Sequence, residues 1–174
     1  MNVYKMNNKN AQGVSTLMVR IKPAWWPAFS NAYKQLTDVE EGIDTVGWFL
    51  GTDEDHPVGW VLCRELKGYR SIELECCGYD DEGVFKLEHK LRELFDTIAA
   101  YGKAKGYTTF RTSMSTVGFC IDGKAIDDIP AALKSLKTNR VDYQWLLAYG
   151  FRVIGLLPNA YGDNCHLIMF AKGL

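Results

Sequence analysis

Residues 142–174, DYQWLLAYGFRVIGLLPNAYGDNCHLIMFAKGL, restrict the fold more than any other stretch, because several local rules meet in it. Trp145, Leu146 and Leu147 read as a short apolar helix, and Gly150 stands where a helix C-terminus needs a residue that tolerates positive φ. Phe151, Val153, Gly155 and Leu157 alternate with Arg152, Ile154 and Leu156, and the only charge comes at the start. That pattern predicts a mostly buried strand. Pro158-Asn159 and Gly162-Asp163-Asn164 are turn chemistry, and 165–171 reads as a second strand.

The chain has 174 residues, 47% of them hydrophobic, enough for one well-cored domain and short for two. A net charge of −1 gives no whole-chain electrostatic footprint for nucleic acid or an anionic membrane, so neither is an expected partner. No apolar run approaches the roughly 18 residues of a membrane span, and the polar start MNVYKMNNKN is unlike a signal peptide, which points to the cytoplasm. Five cysteines lack zinc-site spacing and are odd in number, so they read as reduced thiols. The three histidines are scattered, and no metal is expected.

In chain order, 2–6 reads as a strand and a helix begins near Ala11, with Val14, Leu17, Met18 and Ile21 at helical spacing and Pro23 as the stop. Ala24-Trp25-Trp26-Pro27 is a rigid aromatic corner, and Phe29, Ala32, Tyr33 and Leu36 mark a second short helix. Strands are expected at 46–50, 58–65 and 69–79, the first two joined by a turn-rich hairpin loop at 51–57. Leu87, Leu91, Leu94, Phe95, Ile98 and Ala99 form the apolar stripe of a helix at 86–105, closed by Gly106. A strand at 108–114 follows, and then a segment in which Asp127-Asp128-Ile129-Pro130 opens a small helix at 131–137.

Ala-Tyr-Gly-Phe-Arg-Val-Ile-Gly at 148–155, the Pro-Asn-Ala-Tyr-Gly-Asp turn after Leu157 and the last apolar strand resemble the C-terminal signature of the GNAT N-acyltransferase superfamily. Val58-Gly59-Trp60 resembles the opening of a GNAT meander strand, and the element order matches that family along the whole chain. The resemblance implies an α/β fold: one domain over 1–174, with a central mixed sheet of six or seven strands flanked by helices on both faces. Residues 115–140 are about twenty more than the family usually carries there, and read as a lid, a dimer contact or decoration. The implied activity is transfer of an acetyl group from acetyl-CoA to a primary amine of a small molecule or peptide, in a fold that often forms homodimers. The alternative is a GNAT-fold binding or regulatory module without catalysis.

The resemblance also assigns candidate site residues. The pantetheine arm would pair with strand backbone at Cys76, Cys77 and Gly78, as extended amides do at strand edges. The family's glycine-rich pyrophosphate loop falls on Lys86, His89 and Leu91, where only the first is chemically similar; Lys86, His89 and Lys90 would then supply the charge. A shifted register brings Asp80, Asp81 and Glu82 close to the phosphates. Glu73 and Glu75 alternate with Ile72, Leu74 and Cys76, so both carboxylates share a face and either can act as the base; the ordinary alternative is pairing with Arg64 and Arg70. The family's tyrosine acid falls on Leu146, leaving Tyr143 and Tyr149 as neighbours on the same helix. Trp25 and Trp26 are either a core plug or an acceptor wall. Cys76-Cys77 invites a covalent reading, against which stands the use of both as small apolar strand residues.

Overall fold

In the computed structural model, residues 1–37, 44–80 and 87–174 are described, the side chains of 87–90 excepted. The elements run β1 (Asn2–Lys5), α1 (Ala11–Ile21), α2 (Phe29–Thr37), β2 (Asp44–Gly51), β3 (Pro57–Leu66) and β4 (Ser71–Tyr79). They continue with α3 (Leu87–Ala104), β5 (Thr109–Ser115), α4 (Ile129–Lys134), α5 (Val141–Tyr149), β6 (Arg152–Leu157) and β7 (Leu167–Gly173). This is the α/β class expected, with seven strands in its sheet. Chain contacts divide it into two compact units, 1–108 with Leu174, and 109–173.

In the first unit β1, β2, β3 and β4 pair in that order, each antiparallel to the next. Alternation along the strands sends successive side chains to opposite faces. Phe49, Trp60, Leu62 and Cys76 join Val14, Leu17, Met18, Trp26 and Ala32 in a core beneath α1 and α2. On the other face Trp48 meets Tyr101 of α3 edge-on at 5.1 Å, and Leu94, Phe95 and Ile98 of the predicted stripe are buried. β4 starts at Ser71 and not at 69, because Lys67–Tyr69 close a 3-10 turn and Arg70 takes a left-handed φ of 47°. The Arg70 guanidinium is thereby turned onto the Gly106 carbonyl, at 3.0 and 3.2 Å, and not onto the glutamates of β4.

Trp60 and Gly78 are cross-strand partners, and this pair sets the local shape of β4. Trp60 is fully buried, and a Cβ at Gly78 would stand 2.1 Å from its ring. A glycine in a strand interior marks close approach of a neighbour, and here the neighbour is an indole.

In the second unit β7 lies between β5 and β6, antiparallel to both. Gly150 closes α5 at φ 106°, as its place in the sequence predicted. Phe151 is buried against Phe110, with ring centroids 5.0 Å apart. β6 corrects an expectation: Leu156 is its only buried residue, while Ile154 and Leu157 are 53% and 52% exposed. An apolar run signals a strand covered on both faces only inside a sheet, and β6 is an edge strand.

The 115–140 segment is packed into this unit. Arg140 donates to the carbonyls of Ser115 (3.3 Å) and Val117 (2.8 Å) and holds Asp142 through two contacts, at 3.0 and 2.5 Å. The expected small helix ends at Lys134, three residues early, with Asp128 accepting from the Ala131 N–H as its N-cap. His166 is fully buried. Its Nδ1 accepts from the Asn159 N–H (3.0 Å), which places the ring proton on Nε2, opposite the Lys124 carbonyl at 2.9 Å. One neutral imidazole thus ties the β6–β7 turn to the inserted segment.

Two outcomes follow. Gly78→Ala should cost about 1–3 kcal/mol of stability, read as a lowered Tm, since the buried Trp60 indole has no room to retreat. The Arg140 contact holds the Asp142 carboxyl below its ordinary value. Its stabilisation is therefore present above the unfolded-state value of about 4 and lost as pH falls. Urea titrations of wild type and Asp142→Asn should differ at pH 7 and converge below about pH 4.

Candidate active site

The site of the first unit is built on an irregularity in β4. Cys76 opposes Leu62 and Leu74 opposes Cys63, which leaves Glu75 as an extra residue in the ladder. This is a β-bulge, which bends a strand and re-aims the side chain it carries. Oε1 of Glu75 accepts from Arg64 at 2.7 Å and from Gln35 Nε2 at 3.5 Å. Arg64 itself stands opposite Glu73 in register. The side chain of Glu75 is 24% exposed, so the pair is partly shielded and keeps access to water.

Beyond the bulge the ladder parity decides which way the backbone faces. The Asp80 N–H bonds to the Val58 carbonyl at 2.7 Å, so alternation makes Gly78 and Trp60 a hydrogen-bonded pair, and Cys77 and Val61 a non-bonded one. The amide and carbonyl of Cys77 therefore point away from β3. Lys22 Nζ donates to that carbonyl at 2.7 Å and stands 4.3 Å from the centroid of the Trp25 ring.

The two tryptophans divide the alternatives between them. Trp26 is 5% exposed, meets Trp60 edge-on at 6.0 Å, and donates its indole N–H to Gln35 Oε1 at 2.6 Å. Trp25 is 60% exposed, and beyond it Phe29 and Tyr33 stack on the outer face of α2. Trp26 is the plug, and Trp25 has the exposure of a wall.

Burial pushes the thiol of Cys76 up to about 12, with the neighbouring Cys77 adding to the effect. Burial likewise raises Cys63 well above its ordinary value. A thiol held neutral at physiological pH is a poor nucleophile. Of the phosphate-loop candidates, Lys86 lies outside the described residues, and so do the side chains of His89 and Lys90. The charge of Asp80, which ends the described part of that loop, is paired with Arg20 of α1.

The candidate acids belong to the second unit. Tyr143 packs edge-on between Phe119 (5.1 Å) and Phe170 (5.9 Å), and its hydroxyl makes no hydrogen bond among the described residues. Tyr149 is 6% exposed, stacked on Trp145 at 5.2 Å, with the Lys172 ammonium 3.8 Å from its ring centroid. Leu146, at the position of the family's tyrosine, is buried.

Sequence reasoning missed Lys22 and Gln35. Lys22 is separated from Cys77 by 55 residues and Gln35 from Glu75 by 40, and neither sits in a motif. The sole signal was position, beside the Trp25-Trp26 corner and on the helix after it. Among the described residues no group of His, Cys, Asp and Glu could hold a metal ion, and no helix is long and apolar enough to cross a membrane.

The strand order within each unit, the bulged β4 and the glycine-closed α5 together define the fold of the GNAT N-acyltransferases. Solved structures share it across nearly the whole chain. An aminoglycoside 6'-N-acetyltransferase complexed with coenzyme A is 17% identical, at a TM-score of 0.80 over 99% of this chain and 97% of that one. The aminoglycoside 6'-N-acetyltransferase from Enterococcus faecium is 17% identical, at 0.77 over the same shares. The ribosomal-protein-S18-alanine N-acetyltransferase from Escherichia coli is 10% identical, at 0.66 over 99% and 92%. No protein-family model and no curated protein matches the chain by sequence.

The thiol chemistry is directly checkable. Brief iodoacetamide treatment at pH 7.5 should alkylate the exposed Cys120 and leave Cys63 and Cys76 intact in a peptide map, until denaturant exposes them.

Proposed function

We propose that this protein is an acyl-CoA-dependent N-acyltransferase that moves an acetyl group from acetyl-CoA to a primary amine. The observation that carries the reading is the bulge in β4, which puts a shielded carboxylate, Glu75, two residues from a backbone amide and carbonyl turned away from β3. The likeness to N-acetyltransferases, one of them complexed with coenzyme A, supports it.

Acetyl-CoA enters as a substrate, and two features of this chain fit it. The Cys77 amide has the orientation to donate to the thioester carbonyl, and the Asp80 charge, which would oppose a pyrophosphate nearby, is offset by Arg20. Glu75 takes a proton from the acceptor ammonium, directly or through water, and Glu73 is the second candidate on the same face. The freed amine forms a bond to the thioester carbon while the Cys77 N–H stabilises charge developing on its oxygen. As the carbon–sulfur bond breaks, the thiolate takes a proton from water or a side-chain donor, a role to which the buried, stacked ring of Tyr149 is poorly suited. Trp25 offers the acceptor a surface, and Lys86, His89 and Lys90 are the proposed phosphate contacts. The acceptor class follows the compared enzymes: an aminoglycoside amine or an alanine of a protein.

Leu146 favours a second reading, because a buried leucine cannot protonate a thiolate. On that reading the protein binds ligands on a GNAT fold without catalysis.

Thermal shift separates the two. At a hundredfold its Kd, acetyl-CoA should stabilise the protein by about 2.7 kcal/mol, a rise of several degrees. No rise with millimolar CoA or acetyl-CoA would sink the enzyme reading. Acceptors are sought by mass spectrometry, with an aminoglycoside bearing a 6'-amine and an alanyl peptide as probes. With the amine that is acetylated, Glu75→Gln should lower kcat by about 10²- to 10⁴-fold. An unchanged rate would remove Glu75 as the base and transfer the test to Glu73→Gln.

A further inference from the structure

We propose that Gln35 is a positioning residue for Glu75, and that Trp26 sets the sense in which it acts; this inference rests on the reading of Glu75 as the base. An amide side chain presents an acceptor at one end and donors at the other, and a flip exchanges them. The buried Trp26 indole can only donate, and it does so to Gln35 Oε1 at 2.6 Å. The flip is thereby settled, and Nε2 is the end that remains for Glu75, 3.5 Å from its Oε1. Arg64 reaches the same oxygen from β3 at 2.7 Å. Two donors from two elements converge on Oε1, so Oε2, which makes no hydrogen bond among the described residues, is the oxygen that takes the acceptor's proton.

Arg64 and Gln35 have separate tasks. Arg64 supplies charge through a long side chain that is 43% exposed, and such a contact alone does not fix a carboxylate's rotation. Gln35 projects from α2 and is itself anchored by a core tryptophan. Among the described residues, Glu73 lies on the same strand and the thiols of Cys63, Cys76 and Cys77 lie close by, none of them a charged donor, while the Lys22 ammonium is engaged by the Cys77 carbonyl. Aromatic corner, α2 and bulged strand are thus joined by one directional chain, Trp26 to Gln35 to Glu75.

The test uses two variants that separate packing from positioning. Gln35→Glu keeps an acceptor for Trp26 and replaces the donor facing Glu75 with a like charge. Gln35→Leu removes both bonds and leaves the buried indole N–H unsatisfied. At pH 4, where the added carboxyl carries little charge, Gln35→Glu should keep the wild-type Tm within about 2 °C; with acetyl-CoA and the acetylated probe amine it should lose about tenfold in kcat at pH 6.5 with little change in KM. The deficit should close by about pH 9, as repulsion between the two carboxylates holds one proton longer. In parallel, NMR of side-chain ¹³C-labelled glutamate, with Glu75 assigned from Glu75→Gln, should show its carboxyl signal titrating at higher pH in Gln35→Glu. This second readout needs no acceptor. A Glu75 signal and a pH–rate profile both unchanged in Gln35→Glu, with Gln35→Leu merely less stable, would overturn the positioning role and leave Glu75 as the base untouched. A displaced signal together with a wild-type rate in Glu75→Gln would overturn the catalytic role of the chain by removing the base it serves.

Discussion

A slip of one residue between β3 and β4 governs the candidate site. Without it, Glu75 would sit in a regular ladder opposite a β3 residue; with it, Glu75 is the unmatched residue and is held from two sides, by Arg64 and Gln35. The slip is tolerated because the ladder around it is anchored. Upstream, Arg64 opposes Glu73 and Cys63 opposes Leu74; downstream, the fully buried Trp60 lies across Gly78. A bulge between two well-packed pairs keeps its register, and so the orientation it imposes on the backbone at Cys77 is kept as well.

The same interior that supports the bulge excludes one chemistry and favours another. Cys63 of β3 and Cys76 of β4 are buried where a thiolate is costly, and Cys76 serves as a small side chain in the core beneath α1 and α2. Glu75, released from the strand alternation by the bulge, is turned toward α2, with water access and two hydrogen-bond donors. A carboxylate in that setting can exchange a proton without forming a covalent bond, and direct attack by an amine asks for no more than that. Lys22 adds a cation at the Cys77 carbonyl, close to where charge would develop during acyl transfer.

Much of the architecture was legible in the chain. The Gly150 cap, the Asp128 N-cap, the apolar stripe of α3 and the turn residues between strands each follow from local chemistry, and each stands where expected within a few residues. The failures share a cause. The apolar run at 151–157 looked like a covered strand, but alternation cannot tell whether a covering layer reaches a given edge, and Ile154 and Leu157 are exposed. Trp25 and Trp26 are identical in type and adjacent, yet one is buried and one open, because that depends on where the chain turns between Pro23 and Pro27. Arg64 and Arg70 both looked able to pair with the glutamates, and the left-handed backbone at Arg70 diverts it to Gly106.

By itself the sequence determined, to within a few residues, where helices and strands lie and which residues are apolar enough to fill a core, because periodicity, capping and turn preference act over a few residues. It also carried the GNAT resemblance, since the Gly-Phe-Arg-Val-Ile-Gly run and the turn after it are local signatures. Only the tertiary structure decided that Glu75 is the residue the ladder leaves unmatched, that Gln35 and Trp26 stand behind it, and that Lys22 reaches the Cys77 carbonyl. Each of these joins residues that are distant in sequence, and register, burial and hydrogen-bond direction exist only once the strands and helices have been packed against one another.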